Sequence, residues 1–294
     1  MNLDVPPKEC PIKNLYKSTA LTHSLAFLGK CGITNCEMYT APQKKFRARD
    51  EAEVLDEIRR VGERYIVNRI FLADGDAMVL PTHRLLRILE AIAEHIPSVE
   101  RVTSYCLPRN LKRKSVEELK ELREAGLAML YVGAESGDDE VLERVNKGET
   151  AASTADALIK AGEAGLKRSV MILNGLGGLS LSKQHALNSA KLLNQTQPEF
   201  VSTLVVSFPQ GMERFRERYP DFVELNQQQL FSELRQFVAE LALDNSTFRS
   251  DHASNALVLK GELGQDKDRL LAQIDHAISR PDQAGLRPEW MRGL

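Results

Sequence analysis

Residues 128–175 read AMLYVGAESGDDEVLERVNKGETAASTADALIKAGEAGLKRSVMILNG. Two short apolar runs rich in branched residues, 128–136 and 168–175, bracket a longer amphipathic stretch at 151–165 that closes on Gly165, a well-placed helix C-cap. Strand, helix and strand in that order make a βαβ unit, whose two strands run parallel in one sheet. The same alternation continues outward on both sides. Before it, strands are expected at His23–Leu28, Asn68–Ala73 and 99–105. Between them lie helices over Asp50–Arg64, with Asp50 as N-cap and Val54, Leu55, Ile58 and Val61 on one face, and over Thr82–His95. A further helix over 115–126 opens at Ser115 and closes at Gly126. After the quoted stretch come a helix over 181–195 and a sixth strand over 200–207. Six successive βα units require either an open doubly wound sheet or a partly closed barrel. From about Pro209 the alternation is lost and the pattern turns mainly helical, notably over 226–244. Three regions are therefore expected: an N-terminal extension (1–22), the βα body (23–208) and a helical region packed on it (209–294).

Composition excludes several classes. The 294 residues are 43% hydrophobic and 27% charged, too apolar for a disordered tail and too long for a disulfide-stapled miniprotein. A net charge of −2 argues against a broad nucleic-acid footprint. No apolar run reaches the roughly 20 residues of a membrane helix, and the N-terminus lacks a secretory layout, so a cytoplasmic location without membrane attachment is expected. Among four cysteines only Cys31 and Cys36 are neighbours, and in a reducing compartment such a pair reads as metal-binding, reactive or buried.

Polar residues gather where the expected strands end. Cys31 and Cys36 follow the first strand, Asp74, Gly75 and Asp76 the second, and Ser104, Tyr105 and Cys106 the third. Glu135 and Ser136 end the fourth strand, and Asn174 with Gly175, Gly177 and Gly178 the fifth. In parallel α/β folds this edge carries the functional site. Each feature has a plainer reading beside the functional one. The cysteines could be packing residues, Asp74–Asp76 an ordinary turn, and the glycines a simple change of direction. Glu135 ends an apolar strand, where a carboxylate needs a cation, a hydroxyl or a ligand. Lys44, Lys45, Arg47 and Arg49 form either a solvated loop or an anion-facing one. Arg168 is either a helix-end or surface residue or a carboxylate partner inside the barrel.

The segments CEMYTAPQKKFRAR (36–49), LADGDAMVLPTHRLL (72–86), TSYCLPRNL (103–111), LYVGAESGDDEVLERVNKGET (130–150), VMILNGLGG (170–178) and FRSDHASN (248–255) together resemble the radical SAM superfamily, in particular members with an Elp3-like or coproporphyrinogen-oxidase-like core. The resemblance implies a partial (β/α)6 TIM-like barrel with a C-terminal helical extension. It also implies a [4Fe-4S] cluster and S-adenosylmethionine (SAM) as cofactors, with a flavodoxin or ferredoxin as electron donor. Carried over by position, it assigns Cys31 and Cys36 to the cluster. It assigns Asp74, Gly75 and Asp76 to the methionine amino group, Glu135 to the ribose or methionine portion, Ile172, Asn174 and Gly175 to the adenine flank, and Arg168 to a carboxylate. The family loop has three cysteines, whereas GKCGITNCEMY (29–39) has two, with Ile33 where another ligand would stand. A third ligand must then come from elsewhere, Cys106 and Cys10 being the other thiols. Three functions follow for comparison: a radical SAM enzyme acting on an unknown substrate, a degenerate barrel that binds a ligand without a cluster, and a phosphate-binding barrel enzyme using Lys44, Lys45 and the loop at 175–178. His252 and Asn255 read as capping or packing residues, or as residues facing the substrate cavity.

Overall fold

The computed structural model of the chain describes residues 22–26, 48–73, 76–208 and 211–292. Eight strands form one sheet whose spatial order is the chain order. Strands β1 (Thr22–Ala26), β2 (Arg69–Ala73), β3 (Arg101–Cys106), β4 (Leu127–Glu135), β5 (Lys167–Asn174), β6 (Phe200–Val205) and β7 (Thr247–Ser250) are mutually parallel, and β8 (Leu259–Glu262) is antiparallel at the edge. Among the described residues no ladder joins β1 to β8, so the sheet is open, as a partial TIM-like barrel requires.

Helices carry each crossover. They are α1 (Glu51–Arg64), α2 (Thr82–His95), α3 (Pro108–Lys112), α4 (Val116–Glu124), α5 (Asp139–Arg144), α6 (Ala151–Glu163), α7 (Gly178–Thr196), α8 (Glu213–Arg216), α9 (Gln227–Glu240) and α10 (Leu263–Ser279). Their ends lie where local chemistry puts them. Asp50 caps α1 by accepting from the Ala52 N–H at 2.9 Å, and the face expected to be apolar buries Val54, Ile58 and Val61. Ser115 and Glu118 close a capping box on α4. Gly165 ends α6 at φ 78°, its N–H reaching Gly162 O while Leu166 N–H reaches Ala161 O.

Alternation along each strand sorts side chains between two faces. Leu130, Val132 and Ala134 of β4, Val170 and Ile172 of β5 and Val201 of β6 lie in the main apolar cluster under the helices. Removing such a side chain from water is worth about 1.5–3 kcal/mol. The opposite, concave face receives Met129, Tyr131, Gly133 and Glu135 from β4, and Phe71 and Tyr105 from β2 and β3. The rings of Phe71, Tyr105 and Tyr131 meet there at centroid separations of 4.7–6.1 Å.

The region after Pro209 is not helical throughout. Besides α8, α9 and α10 it supplies β7 and β8, which extend the same sheet. These strands read TFRS and LKGE and bury little more than Phe248, Ser250 and Leu259 between them, so no apolar run announces them.

Candidate functional site at the strand ends

The C-terminal edge of the sheet gathers the βα loops, and its most unusual residue is Glu135. Its backbone sits at φ 65°, a left-handed conformation that costs a non-glycine residue about 1–3 kcal/mol. A register shift between Gly133 and Glu135 accompanies it, so Gly133 lies level with Met171 and Glu135 with Ile172. This bend folds the carboxylate back over the strand, and a Cβ built on Gly133 would overlap Glu135 Oε1. There Lys147 Nζ donates to Oε1 at 3.1 Å. Lys147 comes from the turn after α5 and its side chain is 1% exposed, against 14% for Glu135. A buried ammonium requires a charged partner. Among the described residues Lys147 is its one side-chain donor, which leaves the carboxylate acceptor capacity.

Asp76 is arranged differently. It caps the single 3-10 turn Ala77–Val79 by accepting from Met78 N–H at 2.8 Å, and its Oδ2 accepts from Leu107 N–H at 2.6 Å and Asn110 Nδ2 at 2.7 Å. Burial pushes its carboxyl above the usual range, and the three hydrogen bonds oppose that rise. This side chain staples the loop after β2 to the loop after β3.

At the end of β5, Ile172 and Asn174 are buried, and Gly175 turns the chain at φ 85°. Gly175 N–H donates to Glu233 Oε1 at 2.6 Å, and Glu233 Oε2 accepts from Ser182 Oγ at 2.6 Å. His185 of α7 bridges the neighbouring strand ends, with Nδ1 2.8 Å from Ser136 Oγ and Nε2 3.0 Å from Leu173 O. A carbonyl can only accept, so Nε2 donates to Leu173 O.

Glu135, Ile172, Asn174 and Gly175 therefore share adjacent strand ends, and Asp76 braces the rim nearby. Arg168 does not join them. It stands at the start of β5, level with Leu130, at the opposite edge of the sheet. Its guanidinium donates to Leu158 O, Thr196 O and Gln197 O and grips Glu199. The expectation of a cofactor carboxylate at Arg168 is corrected accordingly, because a residue entering a parallel strand lies a full strand length from the loops that follow it. Asp74 and Gly75, the cysteines Cys31 and Cys36 expected to hold a cluster, Cys10 and the basic residues Lys44, Lys45 and Arg47 lie outside the described residues.

Cys106 belongs to the apolar core, its Sγ 3.3 Å from Leu107 O. Burial pushes its thiol well above the usual range, with Asp76 adding to the rise, which opposes the thiolate a metal needs. Its geometry serves packing. Among the described residues no group of three or more His, Cys, Asp or Glu is placed to hold a metal, and no helix is long and apolar enough to cross a membrane. In the loop after β7, His252 Nδ1 accepts from Ser254 N–H at 3.1 Å and Asn255 Nδ2 donates to Thr203 O at 2.7 Å.

Lys147, His185 and Glu233 escape a reading of motifs. A signal exists for two of them. Glu233 falls on the stripe Leu230, Leu234, Phe237 of α9, and His185 on the buried stripe of α7 that begins at Leu181, so each is a polar residue at an apolar helical position. Nothing in VNKGET marks Lys147 as buried.

A family model described as the radical SAM superfamily matches residues 34–193. The chain is 23% identical over 177 residues to the heme chaperone HemW of Bacillus subtilis (strain 168), covering 60% of this chain and 46% of that protein. Its fold is similar to coproporphyrinogen III oxidase (HemN) from Escherichia coli, with TM-score 0.54 and 17% identity, covering 75% of this chain and 51% of that one. It is also similar to the archaeal Elp3 of Methanocaldococcus infernus, with TM-score 0.52 and 14% identity, covering 87% and 64%. The chain thus spans about half the length of HemW and HemN. The matched segment runs from Thr34, between the two cysteines, to Leu193 in α7, more than half of the chain and the whole of the β4–β5 rim, and the chain belongs to the radical SAM superfamily.

Proposed function

We propose that this protein is a radical SAM enzyme that holds a [4Fe-4S] cluster through Cys31, Cys36 and a third ligand, and binds SAM across the ends of β4 and β5. Such a pair of cofactors supplies one-electron cleavage of SAM to methionine and a 5′-deoxyadenosyl radical that takes hydrogen from a substrate. The observation that carries the reading is Glu135, held in a strained backbone conformation beside a buried lysine at the end of a parallel strand. Lys147 orients that carboxylate, Gly133 leaves the room it occupies, and the other oxygen accepts hydroxyl or ammonium donors of a ligand. The neighbouring end of β5 lies level with Glu135, with Asn174 buried there. Phe71, Tyr105 and Tyr131 line the concave face, where a reactive radical needs protection from water.

The electron donor would be a flavodoxin or ferredoxin. For substrate, the names of two similar proteins, a heme chaperone and a coproporphyrinogen oxidase, make tetrapyrroles the first compounds to assay. A second reading, a ligand-binding barrel without a cluster, draws on the cysteine loop, where Ile33 stands between only two thiols. Anaerobic reconstitution separates the two. The enzyme reading expects a brown protein with roughly four irons per chain, forming 5′-deoxyadenosine on reduction. A colourless, iron-free protein that still binds SAM in air would establish the second.

A further inference from the structure

We infer that Glu233, contributed by the region beyond the six βα units, is a positioning residue for the SAM-binding rim, setting the turn that follows β5. The inference rests on the proposed SAM site. Its basis is the mismatch between where Glu233 stands and what it does. The side chain is 1% exposed and lies on the apolar face of α9, in line with Leu230, Leu234 and Phe237. A carboxylate there costs several kcal/mol of lost hydration unless its bonds replace water. Both of its oxygens are spent on the two sides of one turn, Oε1 on Gly175 N–H and Oε2 on Ser182 Oγ in the first turns of α7. The partial positive charge of that 19-residue helix's N-terminus favours a carboxylate at this point.

The turn itself needs outside support. Gly175 and Gly178 adopt φ 85° and 57°, conformations glycine visits among many others, so the loop has little preference of its own. Glu233 removes that freedom, and Val206 N–H, donating to Asn174 O at 3.0 Å, pins the other side. The fit is close, since a Cβ on Gly175 would lie 2.9 Å from Leu230 Cδ2. The helix thus presents one carboxylate and one methyl group to the residue that closes β5.

The test compares Glu233→Leu, Glu233→Gln and Phe237→Leu, the last a core truncation on the same helix, in reconstituted full-length protein. SAM affinity is read by calorimetry and backbone exchange of the 173–178 segment by mass spectrometry. Glu233→Leu, which removes both charge-assisted hydrogen bonds, is expected to exchange faster at this segment and to bind SAM about tenfold more weakly, the share of that loss carried by the bond to Gly175 N–H. Glu233→Gln, which keeps an acceptor for Gly175 N–H, should restore affinity to within about threefold. Phe237→Leu should lower Tm while leaving SAM affinity unchanged. Equal weakening by Phe237→Leu, or unchanged affinity in Glu233→Leu despite faster exchange, would overturn the positioning role. Should Glu233→Leu fail to fold, Ser182→Ala strips one of the two bonds, and no loss of affinity there would be equally fatal. Absence of SAM binding by the unaltered protein would sink the functional reading and the positioning role with it, while the exchange data would still show whether the clamp exists.

Discussion

Two ion pairs stand on neighbouring strands at opposite edges of the same sheet, and they are built to different standards. Arg168 spends its guanidinium on five hydrogen bonds, three to backbone carbonyls and two to Glu199. Glu135 and Lys147 share one bond of 3.1 Å, with the glutamate backbone in a strained region. A fully satisfied pair holds a structure together. An under-satisfied pair, maintained at a conformational cost, has capacity left for a ligand. Satisfaction of polar groups, more than charge or position in a motif, separates the two regions.

The largest expected effect tests the structural pair. Arg168→Met strands the carbonyls of Leu158, Thr196 and Gln197 and leaves the part-exposed Glu199 without its cation, so a loss of about 2–3 kcal/mol in urea denaturation is expected, most of it from the buried carbonyls. Burial alone would raise the Glu199 carboxyl, but the Arg168 hydrogen bonds prevail and hold it below the usual range. A depressed folded value gives stability that is present above the unfolded value, near 4.3, and is lost as pH falls through the folded one. The variant should therefore lose that part of the acid sensitivity. SAM affinity measured under conditions where the variant remains folded should not change, and a selective loss of affinity would return Arg168 to the site.

Asp76 sharpens the comparison with the opposite sign. Its carboxyl is raised by burial, so the stability linked to its protonation is full below about 3.9 and is lost as pH rises through the folded value. Asp76→Asn turns one of the two acceptor oxygens into an amide donor facing one or two of the three existing donors and should cost about 2 kcal/mol at pH 4. That deficit should narrow toward neutral pH, as the ionised aspartate comes to bear its desolvation cost. A deficit that widens with pH would mean that Asp76 is held as a favoured anion, as a residue awaiting a ligand's ammonium would be.

Legibility in the sequence follows the same division. The order of strands and helices from β1 to β6 could be read because burial on parallel strands leaves apolar runs, and caps such as Asp50, Ser115 and Gly165 are local. Glu135 stood out as a carboxylate closing such a run. Its partner did not, because the turn that buries Lys147 is set by tertiary packing, and the same holds for the reach of Glu233 from α9 to Gly175. β7 and β8 escaped because four-residue strands at a sheet edge carry too few apolar positions to show a period. Arg168 misled because its segment lies close in sequence to the rim, while a strand of eight residues places its two ends at different edges of the molecule.

The smallest change probes the Glu135–Lys147 pair most directly. Gly133→Ala adds one methyl group where Glu135 Oε1 now lies, with Glu135 Cδ 3.2 Å and Lys147 Nζ 3.6 Å away. The backbone at Gly133 is ordinary strand, so the added Cβ meets crowding and no forbidden conformation. The carboxylate must swing off the strand, which should cost about 1 kcal/mol of stability through overpacking and a lengthened ion pair. Because Glu135 is the residue proposed to meet SAM, affinity for SAM should fall by a larger factor than stability predicts, and Gly133→Ala combined with Glu135→Gln should weaken binding no further than Glu135→Gln alone. Additive losses in that double-mutant cycle, read by calorimetry, would show that Gly133 and Glu135 act separately and that the folded-back carboxylate is a packing detail.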